Sequence, residues 1–330
     1  MTRAAFFCND VSSVDHVYAA GRREKIAAMS ALHPTVVTSE NLDRELEHLH
    51  DLEVIFSTWG MFPLTGDQLD SLPNLKAVFY AAGTVQQFAR PFLERGIVVV
   101  SGWGANAVPV AEFTLAQILL SNKNYFQNAR DSAHPESRKS ATGGPGNFGE
   151  TVSLLGAGMV GRNVLKLLKP FSLTVLVFDP FLDAEEAVEL GVTKVCLDEA
   201  FSRSHVVSNH LANLPETERM IRGSHIASMQ SHAVFINTGR GATVAEEEMV
   251  DVLRARTDLT ALLDVTFPEP PASDSPLYGL ENVFMTNHIA GSMNNEVVRL
   301  VDYVLEDFEA WQNGRPMRYA ITLEALERMA

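Results

Sequence analysis

Short apolar runs alternate with longer amphipathic segments over residues 1–100. The runs AAFFC, TVVT, VIFST, AVFY and IVVV are rich in β-branched and aromatic residues, and helix-length segments separate them. Runs of this kind are typical of strands buried on both faces, and helices are the usual connections between parallel strands. The pattern therefore predicts a parallel sheet with crossover helices.

The alternation pauses before residue 151 and then restarts. A long helical pattern at 109–132 has Pro109 in its expected first turn, and residues 133–150, rich in Gly, Pro and Ser, predict an exposed loop. The later runs TVSLLG, TVLVFDP, HVVSNH, AVFINTG, LTALLDV and NVFMTNH predict a second parallel sheet, followed by a helix at 293–313. The expected fold class is α/β, with two doubly wound parallel-sheet domains.

The charge balance disfavours several classes of partner. With 26 basic and 41 acidic residues the net charge is −15, which argues against binding to nucleic acid or to an anionic membrane. No apolar stretch reaches the length that spans a bilayer, and the N-terminal MTRAAFFCND lacks the pattern of a secretory signal. Cys8 and Cys196 lie in apolar runs and are expected to be buried, so we expect a cytoplasmic protein without disulfides or a metal site.

A glycine motif stands where the second predicted sheet begins. Gly156, Gly158 and Gly161 form G-x-G-x-x-G directly after one predicted strand and at the start of a helix. The first glycine suits a tight turn, the second lets a pyrophosphate approach the backbone, and the third allows close packing of helix and strand. The free N–H groups near Met159 and Val160 would then face the phosphates.

Asp179 adds specificity to this motif. It ends the next predicted strand, in VLVFDP, 18 residues after Gly161 (179 − 161 = 18). A carboxylate at this place accepts bonds from both ribose hydroxyls and repels a 2′-phosphate, although a turn or helix-capping aspartate is the alternative. Together the two features predict NAD(H) rather than NADP(H) as the cofactor.

Polar side chains also end later predicted strands. Arg240 follows AVFINTG, Asp264 ends LTALLD, and His210 ends HVVSNH. The carboxyl ends of parallel strands are where ligands bind in doubly wound sheets, and an arginine offers a planar fork for a carboxylate. The alternatives are a solvated loop arginine for Arg240 and a turn residue for Asp264, while His210 is expected to line the cofactor site at most.

A proline-rich loop separates two further ionisable groups. Glu269 and His288 lie 19 residues apart (288 − 269 = 19), at either end of the loop after the strand that holds Asp264. A carboxylate beside an imidazole fixes its orientation and favours its protonated form. Such a histidine could exchange a proton with a substrate oxygen while a hydride moves to or from nicotinamide, although a strand-end histidine without catalytic function is the alternative.

The motifs GAGMVG, FDP, INTGRGATV, LLDVTFPEPP and NHIAGS, in this order, resemble the D-isomer-specific 2-hydroxyacid dehydrogenases. The resemblance covers nearly the whole chain. It implies that Arg240 binds and polarises a small 2-oxo acid, that Glu269 partners the general acid/base His288, and that Asp264 contacts the nicotinamide carboxamide. Neither the particular acid nor the physiological direction follows from it.

The resemblance also implies a domain organisation and further contacts. An inserted Rossmann NAD-binding domain would cover 102–293, and a flavodoxin-like substrate domain would combine 1–101 with 294–330. Backbone around Thr217, Thr238, Gly239 and Gly291 would line the cofactor. The helix and loop at 109–150 would form the contact of a homodimer.

The substrate-facing loops of the first domain depart from the family pattern. By resemblance they contain Trp59 and Gly60 in STWGMF and Gly83 and Thr84 in AAGTVQQ, where the family commonly has Gly-x-Gly-x-Asp. Trp59 and Phe62 suggest a less polar pocket and put phosphorylated substrates in doubt, with core packing as the alternative for both aromatic residues.

A second functional class remains open. Transcriptional corepressors that sense NAD share this scaffold and a similar Arg–Glu–His set. The absence of a basic patch favours the enzyme over such a binding protein.

Overall fold

The computed structural model describes residues 1–132 and 143–329. It divides into two compact units, Met1–Asn106 with Ser292–Ala330, and Ala107–Gly291. The boundaries expected from the sequence, 101/102 and 293/294, lie five and two residues from those of the units (106 − 101 = 5; 293 − 291 = 2). The fold class is α/β with two largely parallel sheets, as the sequence predicts.

The elements follow one another in a regular alternation. The strands in chain order are β1 (Thr2–Phe6), β2 (Ser30–Leu32), β3 (Val54–Ser57), β4 (Ala77–Tyr80), β5 (Val98–Ser101), β6 (Phe148–Leu155), β7 (Ser172–Phe178), β8 (Thr193–Lys194), β9 (Val206–Asn209), β10 (Val234–Asn237), β11 (Thr260–Leu263), β12 (Val283–Met285) and β13 (Ala320–Ile321). The α-helices are α1 (Val11–Val17), α2 (Arg22–Met29), α3 (Leu42–Leu46), α4 (Gly66–Asp70), α5 (Ala89–Leu93), α6 (Trp103–Ser121), α7 (Tyr125–Asp131), α8 (Met159–Leu168), α9 (Ala184–Leu190), α10 (Leu197–Ser202), α11 (Gly223–Ala227), α12 (Glu246–Ala255), α13 (Val297–Gln312) and α14 (Leu323–Leu326). Short 3-10 helices cover Gly241–Thr243, Pro276–Gly279 and Asn294–Glu296.

The sheet of the first unit has the order β13-β5-β4-β3-β1-β2. Strands β1 to β5 pair in parallel in the flavodoxin-like order 2-1-3-4-5, and β13 joins β5 antiparallel. Two apolar clusters pack on this sheet. In one of them the rings of Phe56 and Phe79 lie 5.0 and 5.2 Å from that of Phe308 on α13. Burial on both faces explains why these strands have continuous apolar sequences.

One predicted strand of the first unit is wrong. The run TVVT at 35–38 does not form the second strand; β2 lies earlier, at Ser30–Leu32, and Val37 makes an isolated bridge with Phe7. Between the two places the N–H of His33 donates to the carbonyl of Ala4 at 2.7 Å and that of Val37 donates to the carbonyl of Phe6 at 2.8 Å, so three residues separate successive bonds to β1 and the strand is interrupted.

The sheet of the second unit is parallel throughout, in the order β12-β11-β10-β9-β6-β7-β8. The strand order reverses between β6 and β9, which is the topological switch point where doubly wound sheets bind ligands. The six strands predicted for this unit are present. The sequence did not reveal β8, because its two residues are exposed and carry no apolar pattern.

The long helix predicted at 109–132 is two helices. Helix α6 begins at Trp103, so Pro109 lies inside it and not in its first turn, and α7 follows a break at 122–124. At the break Asn124 has a left-handed backbone with φ of 51°. The carbonyl of Asn122 accepts the N–H of Gly146 at 2.8 Å, and a Cβ at Gly144 would collide with the same carbonyl. Close packing of the 143–147 segment therefore ends α6.

The two cysteines differ in their burial. Cys8 is buried as expected, whereas Cys196 is exposed just before α10, and both are free thiols. In the described part of the chain, no helix has both the length and the apolar character needed to cross a bilayer. Residues 133–142 of the predicted loop lie outside the described residues.

Candidate active site

The glycine motif forms the turn between β6 and α8. Gly156 has a φ of 97°, and a Cβ there would lie 2.8 Å from the carbonyl oxygen of His210. A Cβ at Gly161 would collide with the carbonyl oxygen of Gly156, while Gly158 has open space around its Cβ position. The first and third glycines are thus required by backbone conformation and packing, and the second leaves room for a ligand.

The N-terminus of α8 is free to receive an anion. Gly158 precedes the helix without any side-chain cap, and Met159 and Val160 form its first turn. The first N–H groups of a helix have no partner inside it, and the helix dipole places positive potential there. The turn therefore fits the pyrophosphate of a dinucleotide.

Asp179 lies beside this turn. Its Oδ2 accepts the N–H of Ala157 at 2.6 Å, and its Oδ1 accepts the N–H of Phe181 at 2.7 Å. The carboxylate is thereby held at the glycine turn with lone pairs left for ribose hydroxyls. The nearby Arg162 is paired with Glu186 at 2.6 Å, a contact that raises the pKa of Arg162. The Arg162 guanidinium is therefore already paired with the Glu186 carboxylate.

His210 lies on the other side of the glycine turn. Its Nε2 is 3.0 Å from the hydroxyl of Ser208, and its Nδ1 is 3.4 Å from that of Thr238, which in turn is 3.1 Å from the hydroxyl of Thr114. Desolvation lowers the pKa of His210 to about 4. The imidazole is consequently neutral near pH 7, which suits it to line a site but not to donate a proton as an acid.

A buried amide network holds the backbone around Arg240. The side-chain Nδ2 of Asn209 donates to Asn237 Oδ1 at 3.0 Å and to Thr243 Oγ1 at 2.9 Å. The hydroxyl of Thr243 lies 2.7 Å from the carbonyl of Arg240, and the N–H of Gly239 donates to Asn237 Oδ1 at 3.1 Å. No pattern in the sequence indicated this network, because asparagines after apolar runs look like ordinary turn residues.

The guanidinium of Arg240 is partly buried. Its Nη1 donates to the carbonyl of Gly239 at 2.8 Å. Burial lowers the pKa of Arg240, and the negative charge of Glu269 opposes that shift. An arginine remains protonated under such conditions, so the site contains a permanent cation next to the Glu269 carboxylate.

Glu269 and His288 are hydrogen-bonded to each other. The Nδ1 of His288 lies 2.6 Å from Oε1 of Glu269, and the two side chains are 40% (Glu269) and 49% (His288) exposed. No group of the described chain bonds to Nε2 of His288. The carboxylate fixes the tautomer with a proton on Nδ1, and Nε2 is left for a ligand.

The segment that contains Glu269 is fixed on the turn that contains Arg240. A Cβ at Gly241 would collide with the carbonyl of Thr266, so the two backbones are in direct contact. The N–H of Phe267 donates to Glu246 Oε2 at 3.1 Å, and burial raises the pKa of this glutamate. Glu246 was missed in the sequence, where it is one of three consecutive glutamates at the start of a helix.

Asp264 organises the turn that contains His288. Its buried carboxylate accepts the hydroxyl of Thr286 at 2.6 Å and the N–H groups of Ile289 and Ala290 at 2.8 and 2.9 Å. Its main-chain carbonyl accepts the N–H of His288 at 2.9 Å. His288 has a φ of 54°, a conformation that is strained for a residue with a side chain. Asp264 thus stabilises the turn from within the protein, a function that the sequence did not indicate.

Thr217 and Gly291 are the remaining residues that the sequence analysis expected near the cofactor. Thr217 is buried, and its hydroxyl lies 2.6 Å from the carbonyl of Ala212 within its own loop. Gly291 directly follows Ala290 at the end of the second unit. The structure therefore accounts for the Thr217 side chain by local bonding alone.

The expected substrate-facing residues lie in the first unit. Trp59 is exposed, and Gly60 has a φ of 104°. Phe62 is buried and stacks on Phe7 with a ring distance of 6.0 Å, so the core-packing alternative applies to Phe62 and not to Trp59. Within the described chain, the backbone N–H groups of Gly83 and Thr84 donate no hydrogen bond.

We predict that Asp264→Asn loosens the His288 turn even without a ligand. One carboxylate oxygen becomes an amide that faces a donor, so hydrogen exchange of the Ile289 and Ala290 amides in the cofactor-free protein should accelerate by about 10- to 100-fold. Asp274→Asn, an exposed change in the same loop, is the control. Unchanged exchange at both amides in Asp264→Asn would contradict this assignment.

Comparisons with known proteins identify the family of the chain. Residues 115–290 match the family model described as D-isomer specific 2-hydroxyacid dehydrogenase, NAD binding domain. A D-3-phosphoglycerate dehydrogenase of Archaeoglobus fulgidus is 29% identical over 294 residues, which are 89% of this chain and 55% of that protein. Its counterpart in Methanocaldococcus jannaschii is 30% identical over 260 residues, covering 78% of this chain and 49% of that protein. The chain thus spans about half the length of these curated relatives.

Solved structures share the fold over nearly the full length. The apo form of D-mandelate dehydrogenase of Rhodotorula graminis has a TM-score of 0.80 at 20% identity, covering 97% of both chains. The TT0316 protein of Thermus thermophilus has a TM-score of 0.71 at 25% identity, covering 98% of this chain and 100% of that one. The match to the family model includes the glycine turn, Asp179, Arg240, Glu269 and His288. The chain belongs to the D-isomer specific 2-hydroxyacid dehydrogenase family and contains its NAD-binding domain.

Proposed function

We propose that this protein is an NAD(H)-dependent oxidoreductase that interconverts a small 2-hydroxy acid and its 2-oxo acid. The observation that carries the proposal is the Glu269–His288 pair, in which Nδ1 and Oε1 are 2.6 Å apart and Nε2 bonds to no group of the described residues. The negative charge of Glu269 also acts on the partly buried Arg240, where it opposes the lowering of the pKa by burial. Family membership supports the reaction class, and the named relatives add phosphoglycerate dehydrogenation as one candidate activity.

The side chains have separate tasks in this proposal. Arg240 binds the substrate carboxylate through its planar fork and polarises the 2-oxo group. In reduction, Nε2 of His288 gives its proton to the oxygen as the carbonyl carbon becomes tetrahedral, and in oxidation it takes that proton back. Glu269 accepts the hydrogen bond from Nδ1 and keeps the imidazole oriented. The dinucleotide, when bound, supplies or accepts the hydride.

The neighbouring histidine does not compete for this role. His210 has its pKa lowered to about 4 by desolvation, and both of its ring nitrogens face hydroxyl groups. His210 is therefore not the proton donor near pH 7, whereas Nε2 of His288 bonds to no group of the described chain.

Asp179 supports a preference for NAD(H). Wild-type kcat/KM should be higher with NADH than with NADPH, because a carboxylate and a 2′-phosphate at contact distance repel each other by on the order of 1–4 kcal/mol. Asp179→Ala should reduce the ratio of kcat/KM with NADH to kcat/KM with NADPH by about tenfold or more. Glu189→Ala, which removes an exposed charge on α9, should leave that ratio unchanged. Equal kcat/KM for both cofactors in the wild type would refute the preference.

The acid/base pair is tested by the pH dependence of kcat/KM. Reduction needs a protonated His288 and should weaken as pH rises, while oxidation needs the neutral form and should weaken as pH falls. Glu269→Gln keeps the shape of the side chain but weakens the hydrogen bond that orients the imidazole, so kcat/KM for reduction should fall relative to the wild type. His288→Ala should lower kcat/KM for reduction by roughly 10²–10⁴-fold.

Glu281→Gln, an exposed change beyond the proline-rich segment, is the matched control and should keep the wild-type profile. A fully active His288→Ala would show that His288 is not the acid/base. Tight NADH binding without turnover of any 2-oxo acid would instead favour an NAD-sensing binding protein.

We also propose that the protein forms a homodimer through residues 109–150. Leu120, Tyr125 and Phe148 in this segment are exposed by 39%, 52% and 85%, which suits a face covered by a second copy. A cytoplasmic location also remains an expectation.

A further inference from the structure

We infer that Glu246 is a positioning residue for the proposed reaction, because it fixes the backbone segment that leads to Glu269. It acts through Glu269, which orients the imidazole of His288, and not by contact with the substrate. The inference rests on the proposed function, and every residue that carries it belongs to the second unit.

The segment 266–271 has few contacts that could hold it in place. Three of its six residues are prolines, which have no N–H group. In the described part of the chain, no backbone hydrogen bond joins this segment to another backbone group, and the N–H groups of Thr266 and Glu269 donate to no acceptor. The side chains from 267 to 270 are exposed, so apolar packing does not hold them either.

The N–H of Phe267 is the exception, and its acceptor is Glu246. This glutamate is the first residue of α12, and its Oε2 accepts the N–H at 3.1 Å. Among the described residues, no other side chain accepts an N–H group from 266–271. Hydrogen bonds to an ionised acceptor are roughly twice as strong as bonds between neutral groups. Glu246 therefore provides the main polar anchor between the segment and α12.

Glu246 differs from the two glutamates that follow it. Glu247 and Glu248 each pair with an arginine, whereas Glu246 forms no ion pair with any described residue. Burial raises the pKa of Glu246, and the hydrogen bond from the N–H of Phe267 opposes that shift. A partly buried carboxylate without a cation is costly unless it accepts hydrogen bonds. The bond to Phe267 thus accounts for a carboxylate at this position.

The anchor at Phe267 reaches Glu269 through a stiff piece of backbone. The hydroxyl of the buried Thr266 donates to the carbonyl of Pro268 at 2.9 Å, and the carbonyl of Thr266 packs directly against Gly241. The ring of Pro268 also fixes its own φ angle. A displacement of Phe267 is therefore carried to Glu269, two residues further along the chain.

The Glu269–His288 bond is sensitive to such a displacement. Its Oε1 and Nδ1 atoms are 2.6 Å apart, and both side chains are exposed, so packing does not confine them. The approach of the carboxylate is set by its backbone instead. A misplacement of about 1 Å that originates away from the reacting atoms can lower a rate by about 100-fold.

The test measures the single-turnover rate of NADH oxidation with saturating glyoxylate or hydroxypyruvate. Glu246→Ala should lower this rate by about 10- to 100-fold while the Kd of NADH stays unchanged. Glu246→Gln keeps an acceptor oxygen and should retain most of the rate. Glu247→Ala, which removes the adjacent exposed charge from the same helical turn, is the matched control and should keep the full rate.

A double-mutant cycle separates positioning from a general loss of stability. In a Glu269→Ala background there is no carboxylate to position, so adding Glu246→Ala should change the rate by less than about twofold. Thr266→Val removes the hydroxyl bond to Pro268 with little change of shape and should show the same dependence on Glu269. A merely structural role would give equal losses in both backgrounds.

The negative results have different meanings. Equal losses in the two backgrounds, or a full rate in Glu246→Ala, would overturn this inference and leave the proposed function standing. Failure of the wild type to reduce any 2-oxo acid would overturn the proposed function and this inference with it.

Discussion

A single buried carboxylate determines the geometry of the candidate active site. Asp264 directly follows a fully buried strand and accepts three hydrogen bonds with its side chain and one with its carbonyl, all from residues 286–290. His288 has a left-handed backbone that costs on the order of 1–3 kcal/mol for a residue with a side chain. Hydrogen bonds to a charged group can offset that cost. The direction of the imidazole therefore depends on Asp264 before any ligand binds.

A second set of contacts brings the partner carboxylate to that imidazole. Glu246 accepts the N–H of Phe267, and Gly241 allows the backbone of Thr266 to pack against the Arg240 turn. The amides of Asn209 and Asn237 tie the ends of β9 and β10 together. Buried polar groups are costly unless they satisfy one another, and here they do so at neighbouring strand ends. These contacts hold the Arg240 guanidinium and the His288 imidazole at the same edge of the sheet.

The sequence predicted most of the fold because parallel strands buried on both faces leave continuous apolar runs. It failed at two places: the second strand lies at Ser30–Leu32 and not at 35–38, and packing at Asn122 divides the long helix. The order of motifs identified Asp179, Arg240, Glu269 and His288 as candidates. The sequence could not predict contacts between residues that lie far apart along the chain. Three consecutive glutamates give no sign that Glu246 accepts the N–H of Phe267. The residues around Trp59 give no sign that its carbonyl contacts the thiol of Cys8, 51 residues away.

In the proposed mechanism Arg240 and His288 act on a 2-oxo acid that is bound through its carboxylate. The most direct measurement is kcat/KM for NADH-dependent reduction of glyoxylate in Arg240→Lys, with NADH affinity measured in parallel and Arg254→Lys as an exposed control. A lysine keeps the charge but not the planar fork, so kcat/KM should fall by roughly 10²-fold or more while NADH still binds. Near-normal kcat/KM in Arg240→Lys would contradict the account.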